Sequence, residues 1–282
     1  IMTYYAVIGG WVTKYAVVYL TGQAQAAAAD DYFTSFITSP VAPVVFALLF
    51  MGVTSFIVYN GVEGGIERVS KYMMPILLVL VVIIAGYSLT LKHTDEAGQL
   101  RTGIEGFLYY LTPHFEGLTV GRFFQILLDA MSQLFFSLSV SMGIMITYGS
   151  YVKPEVNLNK AVNQIEIFDT GVALLAGAMI IPAVYVFSGT EGMSAGPSLM
   201  FVSLPKVFAA MGKAGNVVGI LFFVTTIFAT LTSCISVLES ITANCMEIFH
   251  TGRKKTVLVL TVIYLTASAV IALGYSIFYF EV

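Results

Sequence analysis

The sequence has 282 residues, of which 58% are hydrophobic and only 10% are charged, and its net charge is −3. A soluble domain usually carries about 25% charged residues, so this composition excludes an ordinary soluble domain and predicts a protein that crosses the membrane several times. The small negative charge gives no indication of a nucleic-acid partner, and membrane lipid is the surrounding that we expect.

Seven segments are apolar enough, at about 20 residues each, to predict membrane-spanning helices. They cover residues 1–20, 41–60, 71–91, 123–148, 165–187, 216–249 and 256–276. The sequence therefore predicts an all-α, polytopic membrane helix bundle that forms a single transmembrane domain over residues 1–282. Because both ends fall in or beside a span, we expect the sequence to be a fragment of a longer chain.

Charge in the loops predicts the orientation of the bundle. The loops after the second, fourth and sixth spans are short and basic, with Arg68, Lys71, Lys153, Lys160, Arg253, Lys254 and Lys255. By the positive-inside rule these loops are cytoplasmic. In the longer outer loops, residues 103–111 favour a short interfacial helix. Residues 196–205 favour a helical hairpin that dips toward the site as a lid, with an ordinary surface loop as the alternative.

The fourth span is predicted to be a broken helix over residues 133–143. Polar or small residues interrupt its apolar run at Asp129, Gln133, Ser137, Ser139, Ser141 and Gly143. Such residues loosen the helical hydrogen-bond ladder, and irregular backbone at membrane depth is tolerated only where it faces protein, water or a ligand. We therefore interpret this break as part of a binding site.

Ionisable residues inside a span indicate a functional site, because burying an unpaired charge is costly. Asp169 in the fifth span, near serine hydroxyls, would suit a small hard cation; the alternative is a structural carboxylate paired with a neighbouring helix. Glu239 in the sixth span is predicted to be a helix-packing acceptor. Lys14 in the first span is expected to extend its ammonium group outward.

The sixth span holds a second candidate cation site. Ala229, Thr232 and Ser233 are spaced i, i+3 and i+4, so they lie on one helix face. Two hydroxyls and a carbonyl oxygen there could bind a cation. The alternative is packing, with the hydroxyls bonded back to carbonyls of their own helix.

Two further features concern the third and first spans. Gly65 and Pro75 bracket the start of the third span, where both residues weaken a helix and would allow an inner gate to unwind; the alternative is a plain helix start with an early proline. Ile1 and Tyr5 lie one turn apart on one face of the first span. The Tyr5 hydroxyl needs a polar partner, so a ligand contact and aromatic packing are both open.

Taken together, these residues resemble the neurotransmitter:sodium symporter family, whose architecture is the LeuT fold with inverted repeats. The stretches that carry the resemblance are Tyr4 to Trp11, Gly65 to Pro75, Asp129 to Gly143 followed by residues 144–151, Gly196 to Phe208, and Leu231 to Ser233. They resemble the family's third, fifth and sixth spans, its fourth outer loop and its eighth span. The seven segments would then be the third to the ninth spans of a bacterial sodium-dependent amino-acid transporter, in a truncated form of the fold.

The resemblance implies roles for particular residues. Substrate would be bound by Ile1, Tyr5, Phe136, Ser139, Ser141, Met142 and Val237. Sodium, at one or two sites, would be bound by Ser137, Asp169, Ala229, Thr232 and Ser233. Gating would fall to Gly65, Pro75, Gln133 and Asp129. Gln133 and Ser137 also match part of the chloride site of animal members, and the carboxylate of Asp169 implies that chloride is not required.

The resemblance implies a multi-pass transporter of the cell (inner) membrane and not an enzyme. It would couple the symport of neutral hydrophobic or aromatic amino acids to sodium by alternating access. The apolar pocket positions, Met142 and Met145 among them, favour large side chains, because a flexible thioether adapts to different shapes. Two alternatives remain open: another carrier of this fold, for an osmolyte or driven by protons, and a non-transporting membrane receptor or scaffold.

Overall fold

The computed structural model describes residues 1–94, 99–113, 115, 117–190 and 196–278, and most of these residues are helical. The helices are α1 Met2–Leu20, α2 Ala24–Ala27, α3 Tyr32–Ile37, α4 Ala42–Tyr59, α5 Arg68–Thr90, α6 Gly103–Leu111, α7 Val120–Ser137, α8 Ile144–Tyr151, α9 Leu158–Ser188, α10 Leu204–Ala210, α11 Lys213–Phe249 and α12 Arg253–Leu273. π-Helical segments at Val62–Glu67 and Leu199–Ser203 lead into α5 and α10. The short strands β1 (Lys92–Thr94) and β2 (Leu100–Thr102) pair in antiparallel fashion.

Within the described residues, five helical segments are long and apolar enough to cross a membrane. They are Ala42–Tyr59, Val62–Thr90, Leu158–Ser188, Lys213–Phe249 and Arg253–Leu273. The segment predicted as the fourth span forms two helices, α7 and α8, separated by residues 138–143. The predicted all-α membrane helix bundle with a broken helix is therefore confirmed.

Helix α1 lies at the centre of the bundle and packs against α4, α11 and α12, while α5 packs against α9 and α11. One apolar cluster surrounds α1 at the end of the bundle away from the basic loops, where Trp11, Tyr15, Phe201 and Phe223 are buried. Aromatic rings there meet at centroid distances of 5.2 Å (Tyr15 to Phe223) and 5.7 Å (Trp11 to Phe201). Such ring pairs stabilise a contact beyond the area that they bury.

The segment predicted as a lid is helical and is attached to this cluster. The Tyr15 hydroxyl donates a hydrogen bond of 2.8 Å to the carbonyl oxygen of Phe201 in the π-helical segment. On α10, the exposed ammonium group of Lys206 pairs with Asp30 in the loop after α2 and lowers the pKa of that carboxyl group. The segment is thus held to α1 by buried rings and to the neighbouring loop by an exposed ion pair.

A second apolar cluster lies toward the end of the bundle that carries Arg68, Lys153 and Arg253, which we call the basic end. There Met2 of α1, Met51 of α4 and Cys234 of α11 are buried together. Gly65 lies in the π-helical segment at this end, and a β-carbon on it would fall 2.0 Å from the carbonyl oxygen of Ile57. Only glycine allows the start of α5 to approach the end of α4 this closely.

Candidate functional site

The break between α7 and α8 contains several residues in the left-handed backbone conformation. Helix α7 ends at Ser137 and α8 begins at Ile144. Between them Ser139, Ser141 and Gly143 have φ angles of 55°, 66° and 75°. A left-handed conformation costs a residue with a side chain roughly 1–2 kcal/mol. Two serines in this conformation therefore indicate a local structure that its surroundings maintain at a cost.

We expect Gly143→Ala to destabilise the protein, whereas Gly149→Ala should stabilise it slightly. Gly143 needs its positive φ of 75°, and a β-carbon there would lie 3.0 Å from the Ser240 hydroxyl oxygen. Gly149 is inside α8, and a β-carbon there would meet nothing within 4 Å. The expected changes are a loss of about 1–2 kcal/mol for Gly143→Ala and a gain of about 1 kcal/mol for Gly149→Ala. Thermal unfolding in detergent measures both changes. Equal changes in stability for the two variants would contradict the requirement for glycine at position 143.

A cavity of about 1110 Å³ opens beside the break and is the centre of the candidate site. Six helices and the break contribute to its walls. Of the residues predicted for the site, those that line it are Ile1, Tyr5, Pro75, Gln133, Phe136, Ser137, Ser139, Met142, Asp169, Ala229, Thr232, Ser233 and Val237. The structure therefore brings together residues of α1, α5, α7, α9 and α11 that lie far apart in the sequence.

An acid–hydroxyl pair lies in the wall of this cavity. The Ser137 hydroxyl, in the last turn of α7, donates a hydrogen bond to Oδ1 of Asp169 on α9 at 2.5 Å. Asp169 is half-buried, and it is the only charged side chain among the described residues that line the cavity. This geometry fits both interpretations of Asp169, since the carboxylate is paired with a neighbouring helix and also offers oxygen atoms to a hard cation.

The second set of predicted cation ligands faces the same cavity from α11. The Ser233 hydroxyl donates to the carbonyl oxygen of Ala229 at 3.2 Å. The Thr232 hydroxyl lies 3.0 Å from the carbonyl oxygens of both Ala229 and Phe228 and shares its one proton between them. These bonds back to the helix are the ones that the packing alternative expects. Because a hydroxyl that donates its proton keeps lone pairs on its oxygen, the same arrangement leaves Thr232 and Ser233 able to bind a cation.

The residues predicted to bind substrate form an apolar and aromatic wall. The rings of Tyr5 and Phe136 lie with their centroids 6.1 Å apart, so α1 and α7 meet across the cavity. Ile1, Met142 and Val237 add apolar surface, and Ser139 adds a hydroxyl. The same cavity is therefore lined by apolar rings and by polar groups, a combination that suits a small molecule with one charged end.

Four residues assigned to the site or the pocket do not line the cavity. Ser141 is exposed within the break, and Met145 is exposed on α8. Asp129 is exposed on α7, two turns before Ser137, and Gly65 is buried against α4. If Asp129 and Gly65 act in gating, they do so from outside the cavity wall.

The cavity also has lining residues that the sequence analysis did not select. Met74, Leu77 and Leu78 of α5 line it, as do Ala161, Gln164, Ile165, Phe168 and Val172 of α9, and Ile144 of α8. A signal for the α9 set exists in the sequence. Ala161, Ile165, Phe168 and Val172 follow helical spacing on the face that carries Asp169.

Glu239 has partners that the sequence analysis did not foresee. Its side chain is 0% exposed and is paired with the guanidinium group of Arg253. It accepts hydrogen bonds from the Tyr151 hydroxyl at 2.7 Å and from Nη1 of Arg253 at 3.1 Å, while Nε of Arg253 donates to the carbonyl oxygen of Val58 at 3.0 Å. This network joins α4, α8, α11 and α12 near the basic end.

Comparison with known proteins shows that this chain is similar to sodium-dependent transporters. A family model described as the Sodium:neurotransmitter symporter family matches residues 35–280. An uncharacterized sodium-dependent transporter of Bacillus subtilis, YhdH, is 36% identical over 258 residues, which is 90% of this chain and 54% of the relative. An uncharacterized sodium-dependent transporter of Haemophilus influenzae is 34% identical over 281 residues, 97% of this chain and 57% of the relative. The chain thus spans little more than half the length of these relatives.

A solved structure gives the same result at the level of the fold. The crystal structure of MhsT in complex with L-phenylalanine superposes with a TM-score of 0.82 at 35% identity, covering 100% of this chain and 61% of that chain. The serotonin transporter of Drosophila melanogaster, which is sodium-dependent, is 29% identical over 235 residues, 78% of this chain and 35% of the relative.

Proposed function

Because this chain belongs to the sodium:neurotransmitter symporter family, we propose that the protein couples the uptake of neutral hydrophobic or aromatic amino acids to sodium by alternating access. The family resemblance predicted from the sequence is confirmed, and so is the multi-pass membrane location. The family consists of transporters and not enzymes. The substrate, the number of sodium ions and the direction of transport are parts of the proposal.

One observation carries the proposal: a single cavity is lined both by oxygen ligands for small cations and by an apolar, aromatic wall. Sodium bound by Ser137 and Asp169, and by Ala229, Thr232 and Ser233, would favour the conformations that bring these groups together. Substrate in the same cavity favours the same conformations. A ligand shifts a conformational equilibrium only by its differential affinity for the two states, and two ligands that prefer one state bind cooperatively.

The lining of the cavity supports the substrate class. Phe136, Met142 and Val237 favour an apolar or aromatic side chain. Apart from Asp169, which we assign to sodium, no charged side chain is found among the described lining residues, so nothing there would hold a second amine. The L-phenylalanine bound by MhsT, a protein of the same fold, supports an amino acid of this type. We also propose that the carboxylate of Asp169 supplies the negative charge that would make chloride unnecessary.

The proposal includes closure of the basic end, which we assign to the cytoplasm from the charges of its loops. The network around Glu239 ties α8 to α11, α12 and α4. The glycine-dependent π-helical segment before α5, with Pro75 in the next turns, provides a helix start that can unwind. Opening to the cytoplasm would require the network around Glu239 to separate and the π-helical segment before α5 to unwind.

Uptake of radiolabelled amino acids into proteoliposomes that contain the full-length protein tests the proposal. We expect uptake of phenylalanine, tryptophan, tyrosine and leucine when sodium is outside, and unchanged uptake when gluconate replaces chloride. Uptake driven by a pH gradient without sodium would instead favour a proton-coupled carrier. Neither uptake nor binding of any amino acid would favour a receptor or scaffold.

We expect Met142→Phe to narrow the range of accepted amino acids. Replacing a flexible thioether with a rigid ring in the cavity wall removes space that large side chains would use. Competition by tryptophan should weaken by about tenfold relative to leucine, as one overpacked contact costs roughly 1–3 kcal/mol. Met145→Phe, at an exposed position outside the cavity, is the matched control. An identical competition profile for Met142→Phe would contradict its place in the pocket.

A further inference from the structure

A short chain of hydrogen bonds joins α8 to the part of α11 that faces the cavity. The hydroxyl oxygens of Tyr148 and Ser236 lie 2.9 Å apart, and the Ser236 hydroxyl donates to the carbonyl oxygen of Thr232 at 3.1 Å. A serine hydroxyl has a single proton to donate. Because Ser236 uses its proton on Thr232, the Tyr148 hydroxyl is the donor to Ser236, and the bonds run in one direction from α8 to Thr232.

Residues at both ends of this series of hydrogen bonds line the cavity. On α11, Thr232 and Ser233 line the cavity one turn before Ser236, and Val237 lines it directly after. On α8, Ile144 lines the cavity one turn before Tyr148. The Tyr148–Ser236 bond therefore links the wall that carries the proposed cation ligands directly to the inner half of the broken helix.

We propose that Tyr148 and Ser236 are positioning residues that couple sodium binding on α11 to the placement of α8, and through α8 to substrate affinity. This inference rests on the proposed sodium-coupled transport. A cation held by Thr232 and Ser233 restrains their turn, including the Thr232 carbonyl to which Ser236 is bonded. The restraint passes to Tyr148 and to the start of α8. Such coupling is reciprocal, so substrate must tighten sodium binding by the same factor.

The neighbouring contact between the two helices provides a comparison within the same interface. The Thr147 hydroxyl donates to the Ser240 hydroxyl oxygen at 3.2 Å, and both residues are buried. Ser240 lies one turn beyond Ser236, away from the cation-facing turn, and it does not line the cavity. Loss of the Thr147 bond would weaken the attachment of α8 to α11 without touching the route from Thr232.

The experiment measures the sodium concentration for half-maximal binding to the full-length protein, with and without saturating substrate. The ratio of the two concentrations is the coupling. We expect Tyr148→Phe, which removes only the hydroxyl, to lower this ratio by about fivefold, the equivalent of one hydrogen bond. Thr147→Val should leave the ratio unchanged, even if it lowers thermal stability. A loss of stability without a change in coupling for Tyr148→Phe would overturn the inference.

Variants at the partner residue complete the test. Ser236→Ala should reproduce the effect of Tyr148→Phe, and the double variant should show no further loss, because the two residues act through one bond. Ser236→Thr keeps the hydroxyl and should retain the coupling. Additive losses, or coupling intact in Ser236→Ala, would overturn the inference while leaving the proposed transport standing. If the wild-type protein shows no sodium-dependent substrate binding, the proposed function itself fails.

Discussion

Asp169→Asn is expected to raise the sodium concentration needed for half-maximal substrate binding by about 10- to 100-fold. Asparagine keeps the size of the side chain and can still accept the Ser137 hydrogen bond, so the substitution isolates the negative charge. A hydrogen bond to a charged group contributes roughly 1.5–3 kcal/mol, and about 1.4 kcal/mol corresponds to a factor of ten. Titration of substrate binding with sodium at constant ionic strength measures the shift.

The control for this variant lies on the same helix. Glu166→Gln removes a carboxylate one turn earlier, at an exposed position that does not line the cavity, and the sodium dependence should remain as in the wild type. Asp169→Ala removes the Ser137 contact as well and should have at least as large an effect. If Asp169→Asn binds substrate with unchanged sodium dependence, the assignment of Asp169 to sodium is wrong, and its carboxylate serves only to join α7 to α9.

Arg253→Met should be the most destabilising of the substitutions considered for this protein. The variant leaves the carboxylate of Glu239, which is 0% exposed, without its cationic partner. Removing one member of a buried ion pair typically costs about 3–5 kcal/mol, because the remaining charge is uncompensated. The backbone carbonyl of Val58 also loses one of its donors, Nε of Arg253, and keeps the Gly61 N–H. We expect a marked fall in the thermal unfolding temperature in detergent.

Two companion variants separate the buried pair from other effects of a lost cation. Lys254→Met removes the adjacent, exposed cation, whose ammonium group lies 5.6 Å from the ring centre of Tyr59, and should change stability little. The double variant Glu239→Leu with Arg253→Met should recover most of the loss, since replacing both members of a buried pair by apolar groups is often neutral. A double variant as unstable as Arg253→Met alone would show that the pair is not the cause.

Asp169 and Glu239 differ in how far their contacts can be predicted from the sequence. Asp169 was predicted as a candidate because a carboxylate inside an apolar span is conspicuous by itself. Its contact with Ser137 joins residues 32 positions apart and was reached only through the family resemblance. Glu239 is equally conspicuous, but its partner begins the next helix, and no local pattern relates the two. The sequence therefore predicts Glu239 as a helix-packing acceptor, and it does accept hydrogen bonds from α8 and α12, but its ion pair with Arg253 is seen only in the structure.

Local chemistry by itself determined the membrane class and the break, and it predicted the spans and the candidate ligands. Apolar runs of about 20 residues specify membrane helices, and serines and glycine around residue 140 specify a loss of helix, because the backbone groups there must be satisfied by something other than lipid. Helical spacing alone placed Ala229, Thr232 and Ser233 on one face. These properties depend only on neighbours within one or two turns.

Only the tertiary structure decided which of these faces meet. It brought residues of α1, α5, α7, α9 and α11 around one cavity, and it left Ser141, Gly65 and Asp129 outside the cavity wall. It also placed Tyr148 against Ser236, and it turned the α9 face that carries Asp169 toward the cavity. The physical reason is that helix rotation and helix-to-helix distance are set by packing over the whole bundle. A close approach such as that of Gly65 to Ile57 is a property of two helices together and not of either sequence segment.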